Sequence, residues 1–384
     1  MTRPDDPRLN PFPWYQTMRA AGSVQRDQRY GDWGIFGYDA AQEAISNHAV
    51  FSSQLYGSGP PRASDPFAAS MLNTDPPRHR QLRSLVTQAF TPRAIEALTP
   101  RIVRIVDELL DAALAGGRFE AIHDLGAPLP VIVIAEMLGI PTEDRARFKL
   151  WSDAIVSFGS SAGMSGFTAQ REMVAYFMGI IEQRRRAPGD DLISGLLQAE
   201  IGGEHLSLPE LLGFCALLLV AGNETTTNLI GNALLCFAER PEVWERLRAN
   251  PDLVPQAVEE VIRFRSPVQA MYRVTTQAFE LGDKTIPAHA SVAVYLGSAN
   301  HDETRFTAPE QFDLDRQPNR HLGFGHGIHY CLGAPLARLE GRIALTALLG
   351  RVRALRRTGD TPLEGLDSPI VYGVRRLPLA VELG

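Results

Sequence analysis

A mainly α-helical fold with small β-sheets is what the sequence predicts, on three observations. Apolar residues recur at helical spacing almost without interruption from Ala94 to Leu211. A capping box, Ser207-Leu208-Pro209-Glu210, then opens a helix whose pattern runs to Arg240, just before Pro241. Strand-like alternation is confined to short pieces between Gly, Pro and Asp turns.

In chain order, Gly31-Asp32-Trp33-Gly34-Ile35-Phe36-Gly37 alternates small and bulky residues and predicts a short hairpin, followed by a helix over Tyr38 to Asn47. From Tyr56-Gly57-Ser58-Gly59-Pro60-Pro61 to Asn73 the residues are small and polar, and a loop of that length is a candidate substrate-binding loop or lid. Thr74-Asp75-Pro76-Pro77 offers a capping residue and first-turn prolines to the next helix. That helix carries Leu82, Leu85, Val86, Ala89 and Phe90 on its apolar stripe, with His79 and Arg83 one turn apart at the head of nearly the same face. Two cationic donors entering a core-facing stripe ask for an anion. Further helices are expected over Arg101 to Leu114, Leu129 to Leu138, Glu143 to Phe158, Ala169 to Arg186 and Asp191 to Gln198. The small, polar break from Gly159 to Gly166 is a candidate lid hinge, with Met164 and Phe167 as its apolar contacts.

The helix opened by Ser207 would span roughly 50 Å if it reached Arg240, a spine through the molecule. Its centre, Val220-Ala221-Gly222-Asn223-Glu224-Thr225-Thr226-Thr227-Asn228, places a glycine, an acid and three threonines in an otherwise apolar element. Poor helix formers and back-bonding hydroxyls can open the hydrogen-bond ladder there, the kind of local conflict expected at a functional site. A shorter helix over Leu253 to Phe264 holds Glu260 and Arg263 on one face. Strands follow around Met271 to Thr275, Phe279 to Leu281 and Ser291 to Tyr295.

Phe324-Gly325-His326-Gly327-Ile328-His329-Tyr330-Cys331-Leu332-Gly333 then lets the backbone fold tightly around a thiol, and a helix beginning at the thiol is expected to reach about Leu355. Amide N–H groups near a helix start favour the thiolate, which a soft metal centre needs. Short strands around Ile370-Val371-Tyr372 and Leu379-Ala380-Val381 close the chain.

No composition break marks a linker in the 384 residues, so a single domain is expected over 1–384. The net charge of −6 argues against a nucleic-acid partner reached through bulk charge. Met1-Thr2-Arg3-Pro4-Asp5-Asp6 has no apolar h-region, and the longest apolar run, Phe214 to Ala221, falls short of the roughly 20 residues of a membrane span. Cys215 and Cys236 stand about 30 Å apart on one predicted helix and cannot pair. A cytoplasmic monomer without disulfides is therefore expected.

With these residues laid out, the chain resembles a bacterial soluble cytochrome P-450 along its whole length. Phe324 to Gly333 resembles the family's haem-thiolate signature, and Ala221-Gly222-Asn223-Glu224-Thr225 its oxygen-activation motif. Glu260-x-x-Arg263 is similar to its acid/arginine pair, and Pro309 to Arg316 to the segment closing a triad with it. Two departures stand out: Asn300-His301-Asp302-Glu303 replaces the common Asn-Arg-Asp-Pro, and His289 replaces a glycine.

The resemblance implies a P-450 fold, with haem b between the long central helix and the cysteine segment. It implies Cys331 as the axial iron ligand, its sulfur receiving the amides of Leu332 and Gly333. His79, Arg83, Arg273 and His329 would clasp the haem propionates, with Phe324, Gly333 and Ala221 also against the cofactor. Glu224 and Thr225 would relay protons. Leu217, Val220, Ala221, Val268, Gln269, Ala270, Met271, Ile370 and Val371 would line the substrate pocket, a mostly apolar set suited to a fatty acid, terpenoid, steroid or polyketide. Glu260, Arg263 and Arg316 would be structural.

The implied reaction is a monooxygenation. Electrons would come from a separate ferredoxin or flavodoxin with its NAD(P)H-dependent reductase, with a basic patch from residues such as Arg78, Arg80, Arg101 and Arg338 to attract an acidic carrier. The alternatives are a peroxide-driven peroxygenase, whose members usually replace the acid/threonine pair kept here, and a non-enzymatic sensor binding zinc or a regulatory haem through His321, His326, His329 and Cys331.

Overall fold

One helix, Leu208–Ala238, organises the molecule. Its capping box is formed, with the Ser207 amide donating to Glu210 Oε2 at 2.9 Å and the Glu210 amide to Ser207 Oγ at 3.4 Å. Helices Pro128–Met137, Arg145–Val156, Val254–Phe264 and Ala334–Arg351 pack against it, as does a π-turn over Ile122–Gly126. This computed structural model describes residues 6–27, 33–55, 68–87, 90–115, 119–156, 163–200, 203–358 and 362–384. By length and composition the central helix could cross a membrane, which the count of its longest apolar run did not anticipate. Here its apolar faces are covered by neighbouring helices, and it is the core of the main hydrophobic cluster.

The strands are β1 (Val24–Arg26), β2 (Trp33–Ile35), β3 (Phe51–Ser52), β4 (Phe119–Glu120), β5 (Met271–Thr275), β6 (Phe279–Leu281), β7 (Lys284–Ile286), β8 (Ser291–Val294), β9 (Val352–Arg357) and β10 (Pro378–Leu383). They form a sheet of order β1-β2-β8-β5-β3, a second of order β4-β10-β9, and the pair β6-β7. Among the described residues only β2 and β8 pair in parallel. Alternation along β5 separates buried Arg273 from its partly exposed neighbours Tyr272 and Val274.

The hairpin expected before Tyr38 is β1 with β2, Val24 opposite Ile35, although Gly31 and Asp32 lie outside the described residues. Helix Tyr38–Ser46 follows as expected. The helix expected from Thr74 begins at Arg78, with Pro76 and Pro77 in the turn that precedes it, and Ala89 of its stripe lies outside the described residues. Most of the candidate lid, 56–67, and residues 159–162 of the candidate hinge lie outside the described residues, as do the Met164 and Phe167 side chains. What is described of the two segments is a 3-10 turn, Met71–Asn73, and the start of helix Gly163–Arg186.

Four α-helices among the described residues went unanticipated: Phe12–Ala21, Pro92–Glu96 and Pro241–Ala249, each with proline in the first turn, and the short Leu296–Ala299. The helix after the cysteine ends at Arg351, where β9 takes over, and the expected strand at 370–372 is only a bridge between Val268 and Val371.

Candidate functional site

Cys331 closes a loop shaped by two left-handed glycines. Gly325 has φ +72° and Gly327 φ +69°, and a Cβ on Gly327 would stand 3.0 Å from Ser46 Cα. The Cys331 amide donates to the Phe324 carbonyl at 2.9 Å, and helix Ala334–Arg351 starts behind it with Pro335 in its first turn. Burial pushes the Cys331 thiol up, while the amides of Gly333 and Ala334 and the charges of Arg83 and Arg338 pull it down. The expected pull from the helix start is present, but desolvation outweighs it in the polypeptide alone; a bound cation would reverse the balance. Ala334 takes the part expected of Leu332. Phe324 lies beneath the Arg338 guanidinium at 4.4 Å, and Arg338 grips Glu259 at 2.7 and 2.8 Å, fastening the loop to helix Val254–Phe264.

His79, Arg83, Arg273 and His329 come together from three elements. The two imidazoles lie 4.3 Å apart between ring centroids. His79 Nε2 is buried without a partner, and Arg273 donates only to the carbonyl of Tyr272, at 2.7 Å. Arg83 has no side-chain hydrogen bond or ion pair among the described residues, and His329 bonds only Ser53 Oγ, at 2.9 Å. Burial, then Arg273, His79 and Arg83, push His329 down to about 3. Burial alone dominates the lowering of His79 and Arg83 and brings Arg273 to about 10. The nearby carboxylate, Asp75, is already bonded to Ser52 Oγ and the Ser53 amide.

Two guanidiniums and two imidazoles that no carboxylate bonds among the described residues call for an anionic ligand, and a cofactor with two carboxylates fits their number and chemistry. The donor set and the neighbouring thiol thus fit the haem that the motifs imply. His48, whose charge acts on both His79 and His329, was not among the sequence candidates; it is distant in sequence and no local pattern marks it.

Across from the thiol, the central helix opens on one side. From Leu211 to Phe237 every residue is buried except Leu217, Val220, Ala221, Gly222 and Thr225. Their spacing is that of one helical face, and Ala221 is the most exposed of them. The ladder itself is not broken, contrary to expectation: the helix is continuous, and Thr225 Oγ1 donates to the Ala221 carbonyl at 2.6 Å, a bond made alongside the helix rather than in place of it. Glu224 is buried beside it.

Val268, Met271, Ile370 and Val371 keep partial exposure, as cavity walls would. Gln269 and Ala270 do not belong with them. The Gln269 carboxamide accepts from Tyr15 at 2.9 Å and donates to the Ser266 carbonyl at 2.7 Å, and Ala270 packs into the cluster of Tyr15, Phe36 and Tyr295. The single amide assigned to the pocket is therefore structural.

The zinc alternative loses its ligands, since no three His, Cys, Asp or Glu side chains converge as a metal site among the described residues. His321 bonds Glu259, and His326 lies against Ser46 and Gln42. The proposed basic patch is largely neutralised as well. Arg78 pairs with Glu204 and Glu210, Arg101 with Glu136 and Arg338 with Glu259.

Glu260 and Arg263 are fully buried and joined by two 2.8 Å bonds. Arg263 also donates to the carbonyls of Asn300, Pro309 and Gln311, while Glu260 accepts from Arg316 and Asn319 and from the Asp313 amide. Asn300 Oδ1 in turn accepts the Leu322 amide at 2.7 Å, at the entrance to the cysteine segment. The hub thus reaches Cys331 through the backbone.

Residues 153–372 match the family model described as Cytochrome P450. The chain is 44% identical to Cytochrome P450 109 of Bacillus spizizenii, over 97% of this chain and 92% of that one. It is 41% identical to the Cytochrome P450 monooxygenase PikC of Streptomyces venezuelae, over 96% and 91%. Among solved structures it superposes on CYP109E1 from Bacillus megaterium in complex with testosterone with a TM-score of 0.92, at 42% identity, covering 97% of this chain and 98% of that one.

Proposed function

The chain belongs to the bacterial cytochrome P450 family, and from that premise we propose how its residues divide the work of hydroxylating a lipophilic small molecule. It is a monooxygenase with haem b as its cofactor. The observation that carries the assignment of roles is the convergence of buried His79 and Arg273 with half-buried Arg83 and His329, four donors that no carboxylate bonds among the described residues, beside a thiol presented on glycines.

Bound there, haem supplies dioxygen activation and insertion of one oxygen atom into a C–H bond, the other leaving as water. Cys331 would be its sole protein ligand, with the amides of Gly333 and Ala334 tuning the donor strength of the sulfur. His79, Arg83, Arg273 and His329 would hold the propionates. Thr225 Oγ1, with its own proton on the Ala221 carbonyl, is free to accept from a water, and a rotation of the hydroxyl lets it donate instead. Glu224 would resupply that proton.

Among the described residues assigned to the pocket, Leu217, Val220, Val268, Met271, Ile370 and Val371 offer the substrate no polar anchor apart from Thr225, so shape and apolar contact would orient it there. A rigid substrate of steroid or polyketide size suits such walls, and the testosterone complex of the similar CYP109E1 supports that class. Electrons would come from a ferredoxin or flavodoxin with its NAD(P)H-dependent reductase, in the cytoplasm. The test is a screen of steroids, macrolides, terpenoids and fatty acids by the shift of the haem absorption band. A shift given only by small polar compounds would overturn the substrate class.

A further inference from the structure

Ser53 is buried just after β3 and touches a residue far away in sequence. Its hydroxyl lies 2.9 Å from His329 Nε2, and its amide donates to Asp75 Oδ1 at 3.1 Å. Asp75 also accepts from Ser52 Oγ at 2.5 Å, and its carbonyl receives the His79 amide at 3.0 Å. Asp75 therefore ties the end of β3 to the start of the His79 helix and holds Ser53 against the imidazole. Among the described residues the Ser53 hydroxyl has no partner other than His329.

The direction of that bond decides what His329 can offer an anion. A neutral imidazole carries one N–H. If Nε2 holds the proton and donates to Ser53, Nδ1 is a bare lone pair and nothing is left for a carboxylate. If Ser53 donates, the proton sits on Nδ1, which has no partner among the described residues.

We propose that Ser53 is a positioning residue for the cofactor: its hydroxyl donates to His329 Nε2 and fixes the tautomer that donates from Nδ1 to a haem propionate, with Asp75 holding Ser53 in place. This rests on reading the four donor side chains as the propionate site.

The test is a double-mutant cycle on the haem-loaded enzyme with Ser53→Ala, His329→Ala and the pair. Two readouts are followed, the rate of haem transfer to excess apomyoglobin and the ferric/ferrous midpoint potential. Ser53→Ala should speed haem loss about five-fold, the weight of one neutral hydrogen bond. The midpoint potential should move negative, as it should for His329→Ala, because a propionate with one donor fewer carries more charge beside the iron. The pair should lose haem no faster than His329→Ala alone, and Ser53→Thr, which keeps the hydroxyl, should stay near wild type. Asp75→Asn should shift both readouts in the same direction as Ser53→Ala, by less. If Ser53→Ala speeds haem loss by the same factor with and without His329, or changes neither readout while His329→Ala changes both, the positioning role is overturned. If His329→Ala itself changes neither, the propionate reading falls and the proposal falls with it.

Discussion

Replacing Arg273 by Met should change stability in opposite directions with and without haem. Met keeps much of the apolar stem and removes the guanidinium. In the haem-free protein Arg273 is 4% exposed, its bonded partner is a neighbouring carbonyl, and burial lowers its pKa from the ordinary arginine value to about 10. A base whose folded pKa lies below its unfolded value destabilises the fold wherever both states are charged. That penalty is complete below about pH 10 and is relieved as the pH rises from 10 toward the unfolded arginine's pKa. At about 1.4 kcal/mol per pH unit, the penalty is about 3 kcal/mol.

Haem-free Arg273→Met should therefore resist urea at pH 7 better than wild type by up to about 3 kcal/mol, less whatever packing the shorter side chain loses. In the loaded enzyme the same charge meets a carboxylate. Truncating one partner of a buried charge pair costs about 2–5 kcal/mol, so holoprotein stability should fall. Urea midpoints of the two forms, read by far-UV circular dichroism, would move apart. A haem-free variant weaker than wild type, or a loaded variant indistinguishable from it, would refute the idea that Arg273 is a counter-charge waiting for an anion.

The other predictions rest on single contacts. Cys331→Ala should abolish the thiolate-type absorption of the reduced carbon monoxide complex, and a variant that kept the band would remove Cys331 as ligand. Thr225→Ala should leave that spectrum intact but divert reductant to peroxide, so coupling unchanged from wild type would end the proton role. Arg263→Leu should cost about 3–5 kcal/mol, because it leaves a buried carboxylate short of its main partner; haem per protein and thermal midpoint should fall together, and normal values of both would show that the hub does not reach the cysteine segment. In the haem-free protein, stability should decline as the pH falls from 6.5 toward 3. Burial keeps His301 and His329 neutral to about 3, so the unfolded chain takes up the protons first. A flat urea midpoint between pH 6.5 and 5 would contradict this.

What the sequence made legible was local. The thiol on its glycines, the capping box at Ser207 and the one-turn pairs His79/Arg83 and Glu260/Arg263 are all set by spacing within a few residues, and all stand where spacing puts them. The less legible features depend on contacts across the chain. Gln269 lies among pocket residues in the sequence, yet the Tyr15 hydroxyl turns it into the core. Ser53 carries no signal of its own, since its partner His329 is 276 positions away. The threonine run read as a break in the helix, but a threonine hydroxyl can bond the carbonyl one turn back while the backbone ladder persists, as Thr225 does.

The departures from the family pattern share a physical logic that neither position displays alone. His289 keeps φ at +59°, the left-handed turn a glycine would adopt without strain, so the turn between β7 and β8 survives at a local conformational cost. His301 and Glu303 both face the same helix, Phe12–Ala21. The His301 ring lies 4.5 Å from Phe12 and bonds the Gly297 carbonyl through Nδ1, and Glu303 pairs with Arg19 at 3.1 Å. An arginine at 301 would bring a further charge into a buried site that Arg263, Arg19 and Arg316 already make positive. A neutral imidazole avoids that repulsion and packs at a tilt against Phe12 instead. Asn300, adjacent in sequence, accepts the Leu322 amide, and the Arg263 guanidinium is held against its carbonyl. The N-terminal helix is thereby docked on the same hub that positions the cysteine segment, so these two departures bear on the frame of the haem site without touching its chemistry.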